Sequence, residues 1–99
     1  MLKINKTAEN EKLVVALEGR LDTTTSPELE KVLQEALGGV RELIFDFAGL
    51  EYISSAGLRV LLAAQKIMLR QGEMKIVNAG EIVREVFEVT GFSEILTIE

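Results

Sequence analysis

The chain predicts an α/β fold: one mixed β-sheet of four to five strands, an N-terminal antiparallel hairpin plus parallel β-α-β units, packed with three to four helices. Three observations predict it. Two strand-like segments open the chain, and strand-like and helix-like segments then alternate in the order β-β-α-β-α-β-α, with a possible closing strand. Strands separated by helices usually become parallel neighbours through right-handed crossovers, which makes the first strand an antiparallel addition. A length of 99 residues, 47% of them apolar and 27% charged, fits one globular domain over residues 1–99 with a single core.

Each element has a local reason. "MLKINKT" and "KLVVALEG" alternate partly with period two, and "AENE" between them reads as a hairpin connection. From Ser26 the period lengthens. Pro27 suits the first helical position, Ser26 before it reads as the N-cap, and Leu29, Val32, Leu33, Ala36 and Leu37 form one face before Gly38-Gly39 ends the helix. "VRELIFDF", residues 40–47, is rich in β-branched and aromatic residues and reads as a central strand buried on both faces. In the second helix Leu58, Leu61, Leu62, Met68 and Leu69 make a stripe that Val60, Ala63, Ala64 and Ile67 widen. "EMKIVNA" is a further strand, with Met74, Ile76 and Ala79 on one face. The third helix, "GEIVREVFEVTG", carries Ile82, Val83, Val86 and Phe87 inward and stops at Gly91, and "FSEILTIE" closes the chain as a short strand.

Composition narrows the chemistry. With no cysteine and no histidine, the chain lacks a disulfide framework, the usual metal ligands and the commonest general base at neutral pH. Its 16 acidic and 11 basic residues give a net charge of −5, the wrong sign for a nucleic-acid backbone or an anionic membrane surface. No apolar run approaches the roughly 20 residues that would span a bilayer, and "MLKINKTAEN" lacks the apolar stretch of a secretion signal. The expectation is a cytoplasmic protein that needs no metal or cofactor and binds a protein partner or a small ligand.

If the strands ending near Glu18, Phe47 and Asn78 run parallel, the turns after them emerge at one edge of the sheet, where open α/β sheets favour their ligands. Those turns read "GRLDTTTS", "AGLEYISS" and "NAGE". Asp22, Thr23, Thr24, Thr25, Ser54 and Ser55 then form a polar patch on an apolar domain. Simpler readings stand beside this one. Ser54 or Ser55 can cap the second helix, a contribution of about 1 kcal/mol, and Asp22 with its threonines can be an ordinary turn bonded to its own amides. Gly57 sits in the first helical turn, where glycine costs about 1 kcal/mol relative to alanine, which suggests close approach by another group. A nucleophile elbow would need glycine two residues before the serine and a histidine elsewhere; Ile53 stands there instead. Asp22, Glu51 and Glu81 are the carboxylates available for acid-base work, but no spacing marks them. There is no phosphate-cradling G-x-x-x-x-G-K-[ST] loop either.

At this point the residues resemble a known family over nearly the whole chain. "VVALEGRLDTTTSPEL", "LIFDFAGLEYISSAGLRVLLAAQK" and "GEMKIVNAGEIVREVFEVTGFSEILTI" are similar to the anti-sigma factor antagonists, the small form of the STAS domain shared with sulphate transporters. The resemblance implies a domain without catalytic activity whose serine at the start of the second helix is phosphorylated by an anti-sigma factor that is itself a serine kinase. A serine phosphatase would reset the cycle. Matched by residue, the phosphorylation site is Ser55, with Ser54 the second candidate, and Gly57 and Leu58 are the Gly-Leu that follows. Asp22 matches the acidic residue bordering the partner-binding surface, which takes in Thr23, Thr24 and Thr25 as well. Many members carry an aspartate where this chain has Ser54. The resemblance also leaves room for a non-phosphorylated STAS subunit of a transport or stress-signalling complex, or for a small-ligand-binding STAS domain. Against a tightly held polyphosphate, the three turns contain one basic residue, Arg20.

Overall fold

The computed structural model describes residues 1–99. β1 (Leu2–Glu9) and β2 (Lys12–Leu21) pair antiparallel from Leu2↔Gly19 to Glu9↔Lys12, so Asn10 and Glu11 alone make the connection. Asn10 sits at φ 57°, a left-handed conformation that asparagine tolerates because its short polar side chain bonds locally. The chain then runs α1 (Ser26–Ala36), β3 (Glu42–Ile53), α2 (Ser55–Gln71), β4 (Glu73–Val77) and α3 (Glu81–Thr90), with a 3-10 turn at Phe92–Glu94. The four strands form one sheet in the order β1-β2-β3-β4, with β2, β3 and β4 parallel.

This order decides which face is covered. Both crossovers step the same way across the sheet, and right-handed crossovers that step the same way put α1 and α2 on the same face. On that face Leu13, Val15, Leu17, Leu43, Phe45, Phe47, Met74 and Ile76 are buried. On the other, Val14, Ala16, Ile44, Asp46, Lys75 and Val77 remain half-buried. The expectation that β3 is buried on both faces therefore does not hold, because both faces are covered only where crossovers leave in opposite directions. α3 completes the core by stacking Phe87 on Phe47 at 6.4 Å, beside the Phe45–Phe47 contact at 5.8 Å. The helix stripes are narrower than the sequence suggests. Leu61, Ala64 and Met68 face inward with Leu58 and Val60, whereas Leu69 is 73% exposed and Ile82 62%. Each of these outliers sits one residue, about 100° of helix, beside a buried neighbour.

β3 is longer than the expected 40–47, and this extension carries the site. Pairing with β2 continues to Leu21↔Ile53, with register shifts between Ala16 and Glu18 and between Gly19 and Arg20. At each shift β3 holds one extra residue, a bulge that breaks strict alternation. Phe47, Leu50 and Ile53 consequently reach the core at intervals of three, which is why "AGLEYI" reads as a turn when period two is the test. At the C-terminus, Gly91 at φ 83° stops α3 as expected. The expected closing strand shrinks to a single parallel bridge of Ile98 on Ile76 after the 3-10 turn.

Candidate functional site

The carboxyl ends of β2, β3 and β4 deliver their turns to one edge of the sheet. The Ser54 amide donates to the Leu21 carbonyl at 2.9 Å, tying the turn after β3 to the turn after β2. Arg20, Leu50 and Glu51 line one groove with Gly80, Glu81 and Ile82, which brings in the turn after β4. That turn bends at Asn78, φ 60°, whose side-chain amide donates to Asp46 Oδ1 at 3.2 Å.

The turn after β2 is built around Asp22. Its Oδ1 accepts from the Thr24 amide at 3.0 Å, the Thr24 hydroxyl at 2.8 Å and the Thr25 amide at 3.1 Å. The Thr25 hydroxyl accepts from the Asp22 amide at 2.9 Å and donates to the Arg20 carbonyl at 2.8 Å. These bonds stabilise the carboxylate, the Thr24 hydroxyl most, and hold the Asp22 carboxyl below its ordinary range. Ser26 is not the N-cap expected of it. The cap position falls on Thr25, which makes no side-chain cap bond, and Ser26 is the first helical residue, its hydroxyl donating to the Asp22 carbonyl at 2.6 Å. The Asx turn already supplies the local acceptors, so the helix starts without a serine cap. Thr25 is only 4% exposed; of the three threonines, Thr23 and Thr24 alone reach solvent.

The turn after β3 leaves one hydroxyl outside. Ser54, in extended backbone at ψ 175°, is the N-cap of α2, and its Oγ accepts from the Gly57 amide at a long 3.5 Å. Ser55 is the first helical residue, exposed, and bonded to no other side chain or backbone group through its hydroxyl. Gly57 and Leu58 are buried in the core. A Cβ on Gly57 would stand 2.8 Å from Leu21 Cγ and 2.9 Å from Ile53 Cγ1, so the group that approaches this glycine is the protein's own core. Thr25, Gly57 and Leu58 thus support the expected partner-binding surface from beneath, while Asp22, Thr23, Thr24, Ser54 and Ser55 reach its exterior.

Three arginines at this edge differ in commitment, and Arg84 of α3 donates to the Ala79 carbonyl at 2.8 Å and the Glu99 carbonyl at 3.4 Å. Arg20 lies 4.4 Å over the Tyr52 ring and 4.0 Å from Asp22 Oδ2. Arg59, exposed on α2 one turn beyond Ser55, makes no ion pair and no hydrogen bond. Tyr52 and Arg59 were not singled out from the sequence. Tyr52 could not have been, because its partnership with Arg20 depends on the bulged register, but the four-residue spacing from Ser55 to Arg59 is legible in the chain. No group of three or more acidic side chains converges as a metal site, and no helix is long and apolar enough to cross a membrane.

Residues 3–99 match the STAS domain family. The chain is 39% identical over 88 residues to BtrV of Bordetella bronchiseptica, a protein described as an anti-sigma factor antagonist, covering 87% of this chain and 76% of that one. Its backbone is similar to that of an anti-sigma factor antagonist from Mycobacterium paratuberculosis, with a TM-score of 0.89 at 21% identity over 99% of this chain and 85% of the other. It is also similar to the phosphorylated form of the Bacillus cell fate determinant SpoIIAA, with a TM-score of 0.74 at 20% identity over 100% of this chain and 91% of that one.

Proposed function

The chain belongs to the STAS domain family, and on that premise we propose that it is a non-catalytic anti-sigma factor antagonist switched by phosphorylation of Ser55. The observation that carries the reading is the division of labour at the start of α2. Ser54 fills the cap position, and Ser55 keeps a free hydroxyl in solvent on a rigid helical turn.

In this reading the unmodified protein binds an anti-sigma factor that is a serine kinase, in the cytoplasm, and so keeps that factor from its sigma subunit. Ser55 Oγ attacks the γ-phosphorus of ATP held by the kinase. The Oγ–P bond forms, the bond to ADP breaks, and the hydroxyl proton passes to a base of the kinase. The product carries about −1.5 to −2 charge at neutral pH, seated where the unpaired amides and dipole of α2 tolerate an anion. The fold therefore survives modification. The docked surface does not, since the dianion must be desolvated against whatever packed on the hydroxyl, and each 1.4 kcal/mol of that cost weakens binding about tenfold. A serine phosphatase restores the binding form. Supporting the same reading, the fold is known in a phosphorylated form in SpoIIAA.

Incubation with the cognate kinase and ATP followed by mass spectrometry tests the site. One phosphate is expected on the peptide containing Ser55, and Ser55→Ala abolishes it. Ser55→Asp weakens the kinase complex by about 10- to 100-fold with an unchanged circular dichroism spectrum. A chain that gains no phosphate on either serine overturns the reading.

A further inference from the structure

We propose that Arg59 is the receiver of the modified Ser55: once phosphorylated, the serine pairs with this arginine along the outer face of α2, and the pair favours the doubly ionised phosphate. The inference rests on Ser55 as the modified residue and adds a second working part to the switch. Both residues lie on α2 and both are exposed, four positions apart. That spacing places their Cβ atoms about 5–6 Å from one another on one face. Helical side chains lean toward the N-terminus, which directs the long Arg59 side chain back over the turn that begins with Ser55. The order is the favourable one, anion first and cation four residues later.

The surrounding charges single out this arginine. At the same edge Arg20 is held by the Tyr52 ring and by Asp22, and Asp22 is itself occupied by its threonine turn. Of the remaining charges near the turns, Asp46 accepts from Asn78 and Arg84 donates to the Ala79 and Glu99 carbonyls, while Glu28 at the start of α1, Glu51 near the end of β3 and Glu81 at the start of α3 are exposed, and none is paired with Arg59. α2 carries no acidic residue in its first turn. Arg59 is consequently a cation with nothing to neutralise it until Ser55 gains a phosphate. An adjacent guanidinium favours the dianion and lowers the second pKa of the phosphate, so a larger share of the modified form stays doubly charged when the pH falls somewhat below neutral.

The test is independent of any kinase. Phosphoserine is introduced at position 55 during translation, in the full chain and in its Arg59→Gln and Arg59→Lys variants, and the phosphorus NMR shift is titrated for each. The wild-type midpoint should lie about 0.15–0.4 pH unit below that of Arg59→Gln, with Arg59→Lys close to wild type and the difference shrinking as salt is raised. Coincident midpoints in wild type and Arg59→Gln, with native circular dichroism in both, overturn the pairing. Failure of kinase modification would instead strike the functional reading and leave this titration standing.

Discussion

Two hydroxyl-bearing turns sit side by side at the carboxyl edge of the sheet, joined by the Ser54 amide and the Leu21 carbonyl. In the turn after β2, Thr25 and Ser26 are buried and their hydroxyls donate to the carbonyls of Arg20 and Asp22. In the turn after β3, Ser55 is exposed with an unbonded hydroxyl, and only its neighbour Ser54 takes part in the cap. The difference teaches that residue type does not decide what is available for chemistry. Six serines and threonines, Thr23, Thr24, Thr25, Ser26, Ser54 and Ser55, run through these two turns, and those whose hydrogen bonds are already made belong to the scaffold. Thr23 and Ser55 are left exposed with unbonded hydroxyls, and of the two only Ser55 stands at the head of a helix.

The most damaging change should be Gly57→Val, which attacks the support beneath the serine turn. The added side chain would start within 3 Å of Leu21 and Ile53, and overpacking of this kind costs about 1–3 kcal/mol. In a domain of this size that is a fall in Tm of roughly 4–8 °C for each kcal/mol. A variant as stable as wild type would mean that the two turns are not braced through the core.

Next in size is a matched pair that sets one turn against the other. Thr25→Val keeps the shape but leaves the partly buried Asp22 amide and Arg20 carbonyl without the Thr25 hydroxyl, a loss of about 1 kcal/mol. Ser55→Ala removes a hydroxyl bonded to nothing and should stay within about 0.5 kcal/mol of wild type. Urea denaturation of the two variants reads the contrast directly. Equal losses would erase the distinction between spent and available hydroxyls.

Much of this edge was legible in the chain. The β-β-α-β-α-β-α order, the parallel crossovers and the convergence of three turns follow from periodicity and connection rules, and Ser55 from its place at the head of an apolar helix. The bulges were not legible, because a residue inserted on one strand is defined by its register against another. They hid the last six residues of β3 and the Arg20–Tyr52 contact. The inward direction of Thr25 was equally hidden. Three threonines in a row carry no local mark of which hydroxyl turns toward the backbone, and only the position of the Arg20 carbonyl settles it. The open face of the sheet, by contrast, could have been foreseen had the strand order been known, since it follows from the shared direction of the two crossovers.

The smallest effect sharpens the comparison by titration. Asp22 holds the threonine turn through bonds that favour its ionised form, chiefly from the Thr24 hydroxyl, so its folded pKa lies below the ordinary value of 3.8. The folded state then binds fewer protons than the unfolded chain between those two values, and stability rises with pH across that window. The contribution is complete above the unfolded pKa and disappears as the pH falls through the folded one. Asp22→Asn keeps an acceptor at Oδ1 and removes the charge, so its stability should lose this part of the acid dependence while retaining that of the other 15 acidic residues. Urea midpoints followed from about pH 5 downward should show wild type losing stability faster than Asp22→Asn, by a fraction of one proton. Because Ser55 makes no bond with any titrating group, Ser55→Ala should follow the wild-type curve at every pH. Parallel curves for wild type and Asp22→Asn would mean that the carboxylate is a bystander and that the backbone alone holds the threonine turn.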